Sequence, residues 1–164
     1  HLGQQVIAVT PQNDTFLLKT SAGTEIVAKA VIIAAGCGAF GPNRPPLDGL
    51  EAYEGKSVFY MVTQREQFRG KNIVIAGGGD SAVDWAISLH ELANKIYFVH
   101  RRPKFRAAPE SVSRLEELAK SGKIELVVPY QLHRLEGENG QLQRVVVATL
   151  EGEERALEAD VLLP

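Results

Sequence analysis

The stretch Ile-Val-Ile-Ala-Gly-Gly-Gly-Asp-Ser-Ala, residues 73–82, decides the fold. Its four apolar residues, bounded by glycine, predict a short and fully buried strand. The next six residues fit the pattern G-x-G-x-x-A, and apolar residues spaced close to the helical period predict a helix over 81–93. A strand, a glycine-rich turn and a helix in this order are typical of a dinucleotide-binding loop. The loop residues are Gly77, Gly78, Gly79, Asp80, Ser81 and Ala82.

The small residues of this loop have distinct physical roles in such a site. Gly77 allows a tight turn, Gly79 has no Cβ to block a pyrophosphate, and Ala82 lets the helix pack closely on the sheet. The free amides at the start of the helix and the helix dipole then favour an anion. The alternative is that the three glycines only form a flexible turn. The predicted strand before them and helix after them favour the nucleotide interpretation.

The end of the next predicted strand, over 96–99, indicates which nucleotide binds. An NAD site places an Asp or Glu about 20 residues after the glycines, where it accepts hydrogen bonds from the ribose 2′-hydroxyl. This chain has a basic run there instead, and guanidinium groups suit a dianionic 2′-phosphate. A solvated basic turn is the alternative, which the glycine loop upstream disfavours. The predicted 2′-phosphate residues are His100, Arg101, Arg102 and Arg106.

Strands and helices alternate around the loop. Strands are predicted over 57–61, 72–76 and 124–128, helical turns over 63–68, and a second helix over 109–121. This order implies an α/β fold with a doubly wound parallel sheet of the Rossmann type and right-handed crossovers. Glycine-bearing turns then predict an antiparallel β-meander over 131–136, 142–150 and 155–157, with a return to the parallel sheet over 160–163.

The beginning of the chain is rich in predicted strands. Runs of β-forming residues over 5–10 and 15–20 flank Pro11-Gln12-Asn13-Asp14, which predicts a hairpin with a turn over those four residues. Two more runs, 25–28 and 30–35, predict a meander that leads into one buried strand before Gly36.

A boundary follows this β-rich region. Residues 41–46, Gly-Pro-Asn-Arg-Pro-Pro, fix several φ angles and lack backbone donors, so they continue neither a helix nor a sheet. We therefore expect two domains, 1–45 and 46–164.

The amino-acid composition bears on whether the protein binds nucleic acid, a membrane or a metal ion, and on the compartment in which it works. Eighteen basic and 20 acidic side chains leave a net charge of −2, which gives no overall attraction to nucleic acid or an anionic membrane. The longest apolar runs are far shorter than the roughly 20 residues of a membrane-spanning helix. A single cysteine, Cys37, can form neither an internal disulfide nor a zinc site alone, and no histidine has metal-ligand spacing. We therefore expect no metal site and a reducing compartment, the cytoplasm.

The two ends of the sequence are those expected for a piece of a longer protein. The first residue is His1, the only methionine is Met61, and the last apolar run stops at Pro164 without a cap.

Several of these motifs together carry a specific resemblance. The run 77–86, followed by His100-Arg101-Arg102 and Phe105-Arg106-Ala107, resembles the NADPH-binding domain of the thioredoxin-reductase-like flavoproteins. Within them it is most similar to the ferredoxin (flavodoxin)–NADP reductases. The segment 32–36 resembles the strand end near which these enzymes place FAD, which makes Gly36 a cofactor-binding candidate. Thioredoxin reductases proper carry a C-x-x-C pair shortly before the nucleotide glycines, whereas residues 59–64 contain no cysteine.

The resemblance implies how the whole protein is organised and what it does. An NADPH-binding domain is inserted into a split FAD domain, so this chain would hold the β-rich end of the first FAD segment, the hinge and the NADPH-binding domain. Hydride would pass from NADPH to FAD, and electrons would pass on to ferredoxin or flavodoxin. The full-length protein is expected to be a homodimer. The open alternatives are a flavoprotein on the same scaffold with another acceptor, and a non-catalytic NADPH-sensing module.

Overall fold

A computed structural model describes residues 2–34 and 43–164. The chain divides into two compact units, His1–Gly41 and Pro42–Pro164.

The first unit contains a three-stranded antiparallel sheet. Its strands are β1 (Val6–Gln12), β2 (Thr15–Thr20) and β3 (Glu25–Ala28), in that spatial order. The predicted hairpin is confirmed, but the turn is shorter than expected. Because β1 is an edge strand, it tolerates a proline, and Pro11 pairs with Phe16. Only two residues remain for the turn, the first of which, Asn13, has a φ of 47°.

The strand predicted over 30–35 is wrong for the part that the structure describes. Residues 30–34 are in no strand, and Ile32 and Ile33 are 91% and 88% exposed. An apolar run becomes a strand only when another strand pairs with it, and β1 to β3 pair among themselves.

The second unit is built on a four-stranded parallel sheet. Its strands are β4 (Asn72–Ala76), β5 (Lys95–Val99), β6 (Ile124–Val127) and β10 (Val161–Leu163), in the order β10-β4-β5-β6. Helix α1 (Asp80–Leu89) connects β4 to β5, and helix α2 (Pro109–Lys120) connects β5 to β6. The predicted Rossmann-type parallel sheet and the return of the chain at its end are confirmed.

Each face of this sheet packs against a different layer. Ile73 and Ile75 point to one side, where they pack with Val83 of α1 and Leu115 of α2. Val74 points to the other side, since neighbouring side chains of a strand alternate. There it meets the predicted antiparallel meander, formed by β7 (Gln131–Glu138), β8 (Gln141–Ala148) and β9 (Glu154–Glu158).

One predicted strand and the end of one predicted helix differ from the structure, because contacts with distant parts of the chain decide them. The strand predicted over 57–61 does not form, and Val58 instead makes two isolated parallel bridges, with Leu162 of the short strand β10 and with Glu54. Helix α1 ends at Leu89 instead of residue 93. The carbonyl of Leu92 accepts a bond from the Gly70 amide at 2.9 Å, so the last residues are held by a neighbouring loop. The predicted turns over 63–68 are a 3-10 helix, Arg65–Phe68.

Candidate functional site

The glycine loop lies at the carboxyl end of β4, where the chain turns into α1. Ala76 pairs with Val99 of β5, so the two parallel strands end side by side. The Gly77 amide continues this ladder and donates to the Val99 carbonyl at 3.0 Å. Side chains that follow β4 and β5 therefore meet at one edge of the sheet, which is where doubly wound sheets bind ligands.

Each glycine of the loop answers a different steric requirement. A Cβ on Gly77 would lie 2.8 Å from the Cβ of Ala82, so the strand and the helix approach as closely as the motif predicts. A Cβ on Gly79 would meet nothing within 4 Å, so the space above this residue is open. No side chain caps the amino terminus of α1 at Gly79. The loop thus offers uncapped helix amides facing free space, which suits a pyrophosphate.

Gly78 has a role that the motif does not reveal. A Cβ there would lie 2.2 Å from Cε1 of His100, so the absence of a side chain makes room for the imidazole ring. The other side of the ring stacks on Phe105, with centroids 5.3 Å apart. The ring is held between the glycine loop and the basic loop that follows β5.

His100 is fixed along its backbone as well. Its amide donates to the Val127 carbonyl at 3.2 Å, and its carbonyl accepts from the Tyr130 amide at 3.1 Å. Nε2 lies 3.3 Å from the carbonyl of Lys104 and donates to it in the tautomer that carries the proton there. Burial lowers the pKa of His100, and the neighbouring arginines lower it further, against the opposing effect of the Lys104 carbonyl. The surroundings of the ring therefore favour its neutral form.

The predicted basic residues line one cleft of about 1140 Å³. Arg101, Arg102 and Arg106 are exposed, and Lys104 joins them as a fourth cation. The cleft also contains the carboxylate residue Glu116, but none of the four cations forms an ion pair with any residue in the described ranges. Uncompensated guanidinium groups around a cleft are suited to a phosphate. Lys104 was absent from the predicted set, although its place in the run Arg-Arg-Pro-Lys-Phe-Arg was a signal for it.

Arg106 connects this basic cleft with a second cleft at the glycine loop. It lines both, and its amide donates to the Gly78 carbonyl at 2.7 Å. The second cleft, of about 470 Å³, contains all six predicted loop residues together with Trp85 and Tyr60. The structure therefore brings the two predicted groups together, with Arg106 between them.

Tyr60, on the far side of the glycine-loop cleft, has no counterpart in the prediction. Its hydroxyl donates to Glu54 at 2.6 Å, and Glu54 also accepts from Arg44 at 2.6 Å. Burial, followed by the bond to Glu54, raises the pKa of Tyr60 to about 12. The hydroxyl stays protonated at neutral pH, so it supports the cleft wall as a hydrogen-bond donor.

Two further predicted cofactor-binding residues are Asp80 and Gly36. The carboxylate of Asp80 accepts from the Ala108 amide at 2.8 Å, which directs it to the chain segment before α2. Gly36, the candidate for contact with FAD, lies outside the described residues.

Among the described residues there is no cluster of three His, Cys, Asp or Glu side chains that could hold a metal ion. No helix in these ranges is long and apolar enough to cross a bilayer.

Comparison with known proteins identifies the group to which this chain is similar. It is 67% identical over 165 residues to the ferredoxin–NADP reductase of Paramagnetospirillum magneticum, and 63% identical over 168 residues to that of Rhodospirillum rubrum. Both alignments cover 100% of this chain and 49% of the relative, so the chain spans about half the length of these curated relatives. The predicted resemblance to ferredoxin–NADP reductases is confirmed.

Solved structures show the same scaffold. Thioredoxin reductase from Lactococcus lactis matches with a TM-score of 0.76 and 26% identity, over 98% of this chain and 51% of that one. Thioredoxin reductase from Giardia duodenalis matches with a TM-score of 0.77 and 28% identity, over 99% of this chain and 52% of that one. A family model described as pyridine nucleotide-disulphide oxidoreductase matches residues 1–163. By its sequence, its fold and the arrangement of its glycine loop, the chain belongs to the pyridine nucleotide-disulphide oxidoreductase family.

Proposed function

We propose that this chain is the NADPH-binding part of a flavin-dependent oxidoreductase that passes hydride from NADPH to FAD and electrons on to ferredoxin or flavodoxin. The observation that carries the proposal is the continuity of two clefts. A glycine loop with open helix amides adjoins a cleft lined by four cations, and Arg106 lines both. A pyrophosphate and a 2′-phosphate are the two anionic groups that NADPH presents.

The described residues fit NADPH by their chemistry. The amides around Gly79 would bind the pyrophosphate, since the space above that residue is open. Arg101, Arg102 and Lys104 would bind the 2′-phosphate, and Arg106 stands between the two positions. No acidic residue follows β5 in the place where an NAD site needs one to accept bonds from the ribose hydroxyl.

The reaction chemistry comes from the cofactors. When bound, NADPH supplies a hydride and FAD accepts it, which allows the electrons to leave one at a time toward a carrier protein. The residues of this chain bind and orient the nucleotide. Hydride transfer between the two cofactors requires none of them to act as an acid or base.

Some parts of the proposal concern the whole protein, and the names of the curated relatives support one of them, the acceptor. The two curated relatives are named ferredoxin–NADP reductases, which supports ferredoxin as the acceptor. We extend the proposal to flavodoxin, to a homodimer in the cytoplasm, and to residues 1–45 as the end of an FAD-domain segment that includes Gly36. The absence of cysteine from residues 59–64 argues against dithiol exchange in the manner of thioredoxin reductase proper.

The first prediction concerns the choice of nucleotide. A hydrogen bond to a charged group contributes roughly 1.5 to 3 kcal/mol, so even one well-made contact to a 2′-phosphate implies about a ten- to hundredfold preference for NADPH over NADH. Arg102→Ala should weaken NADPH binding by about tenfold or more and leave NADH binding nearly unchanged. Arg106→Ala should weaken NADPH binding more than NADH binding, with a measurable loss for both, because Arg106 also lines the glycine-loop cleft.

Calorimetric titration of the full-length protein with each nucleotide, at low and high salt, measures these effects. The losses should shrink at high salt, because the arginines are exposed. Gly79→Val is the control that should weaken both nucleotides alike, since its side chain would occupy the space proposed for the shared pyrophosphate. Equal affinity of the unmodified protein for NADPH and NADH would contradict the proposed function.

A further inference from the structure

Three contacts tie the basic loop, residues 100–108, to the glycine loop. The His100 ring occupies the space left by Gly78, and the Arg106 amide donates to the Gly78 carbonyl at 2.7 Å. At the far end of the basic loop, the Ala108 amide donates to Asp80 Oδ1 at 2.8 Å. Of these three contacts between described residues, only the one at Asp80 uses an acidic side chain.

The charge of Asp80 opposes the proposed ligand. The residue is the first of α1 and lines the cleft of the glycine loop, so its carboxylate repels a pyrophosphate held there. A stabilising interaction with the helix dipole is available to any acidic residue in this first turn. The bond to Ala108 is particular to Asp80, and it acts on the segment that carries the cations.

That segment is short, and its end is fixed by the buried Ala107, by the start of α2 and by its two hydrogen bonds to the glycine loop. Ala108 is the residue that precedes α2, and no side chain caps this helix. Arg106 is two residues away, so a movement of Ala108 displaces its guanidinium relative to the glycine loop. Without the Asp80 carboxylate, the hydrogen bond from the Arg106 amide to the Gly78 carbonyl is the one that still joins residues 106–108 to the glycine loop among the described residues.

We propose that Asp80 is a positioning residue for nucleotide specificity, which holds the basic loop in register with the glycine loop through the Ala108 amide. The inference rests on the proposed function, since it assigns the 2′-phosphate to the basic loop. Its hydrogen-bond acceptor, rather than its charge, is the feature that matters. An asparagine, which keeps a carbonyl oxygen at the same place, should therefore substitute for it.

The test compares Asp80→Ala with Asp80→Asn in the full-length protein. Titration with NADPH and NADH gives the ratio of the two dissociation constants for each variant. Loss of one exposed hydrogen bond should lower the preference for NADPH about threefold to tenfold in Asp80→Ala. Asp80→Asn should restore the ratio of the unmodified protein to within about twofold.

A matched control separates position from charge. Asp84 lies one turn later on α1 and is exposed, and its side chain forms no hydrogen bond or ion pair within the parts of the chain that the structure describes. Asp84→Ala removes the same charge and should leave the ratio unchanged. Thermal unfolding of each variant shows whether the fold is retained, since a preference that falls while the melting temperature holds is not a folding defect.

Three results would overturn the inference. The first is an equal loss of affinity for both nucleotides in Asp80→Ala, which would indicate a general effect on the glycine loop. The second is an equal fall of the ratio in Asp80→Ala and Asp80→Asn, which would indicate that the charge of Asp80, and not its hydrogen-bond acceptor, sets the preference. The third is an unchanged ratio in Asp80→Ala. Failure of the proposed function itself is distinguishable, because the unmodified protein would then show no preference to lose.

Discussion

At the scale of single residues, adjacent glycines of the same loop serve different purposes. Gly79 leaves open space for a ligand, whereas Gly78 leaves space for a side chain of the protein itself. The difference explains why x in G-x-G-x-x-A is a glycine here, although the motif permits other residues at that position. The ring of His100 needs the position free, because Phe105 closes its other side.

Gly78→Ala tests this packing. The added methyl group would lie 2.2 Å from the imidazole ring, so the free energy of unfolding should fall by about 1 to 3 kcal/mol. In a His100→Ala background the same substitution should cost less than about 1 kcal/mol, because the colliding ring is gone. Urea denaturation of the two single variants and the double variant measures the coupling. An equal loss in both backgrounds would show that the two residues do not compete for this space.

At the scale of structural elements, Ser57 joins a loop to the meander. The hydroxyl donates to the Gly140 carbonyl at 3.1 Å and accepts from the Leu142 amide at 3.0 Å. Ser57 is buried, so both backbone groups depend on it for a partner. The hydroxyl thus attaches the segment before Val58 to the turn between β7 and β8.

Ser57→Ala should lower the free energy of unfolding by about 1 to 3 kcal/mol, because it leaves two buried backbone groups without this partner. Ser113→Ala is the matched control. Ser113 is exposed on α2, where alanine is the better helix former, so the stability should stay the same or rise slightly. Urea denaturation of the two variants gives the comparison, and a Ser57→Ala variant as stable as the control would show that the two bonds contribute nothing.

At the scale of the whole molecule, this chain corresponds to about half of the curated relatives it matches. Its single cysteine, Cys37, lies outside the described residues, and no second thiol in this chain can pair with it. Under the proposed function, we therefore expect electron transfer by the full-length protein not to need this thiol. Cys37→Ala should leave NADPH-dependent reduction of the carrier within about twofold of the unmodified protein, since free cysteine mostly behaves as a small apolar residue.

Steady-state reduction of the carrier by both forms of the protein measures this. Circular dichroism confirms that the variant is folded. A large loss of electron transfer in a folded Cys37→Ala variant would reveal a redox role for the thiol and contradict the expectation.

The amino-acid sequence by itself determined most of the secondary structure of the second unit and the positions of its two loops. Apolar runs and the helical period are local properties, so β4 is predicted over its exact bounds and α2 to within one residue. The glycine motif likewise depends on close approaches and open space that only residues without a side chain allow. Where pairing depends on distant segments, as over residues 30–34 and 57–61, local pattern predicted strands that do not form.

Only the tertiary structure decided how the two loops act on each other. The His100 ring fills the space at Gly78, Arg106 lines both clefts, and Asp80 holds the Ala108 amide. Each contact joins residues that are 22 or more positions apart in the chain, and each depends on the side-by-side ends of β4 and β5. The residue types indicate an anion site. The glycine loop and the basic loop come close to each other only when the sheet forms, because parallel pairing brings the ends of β4 and β5 together.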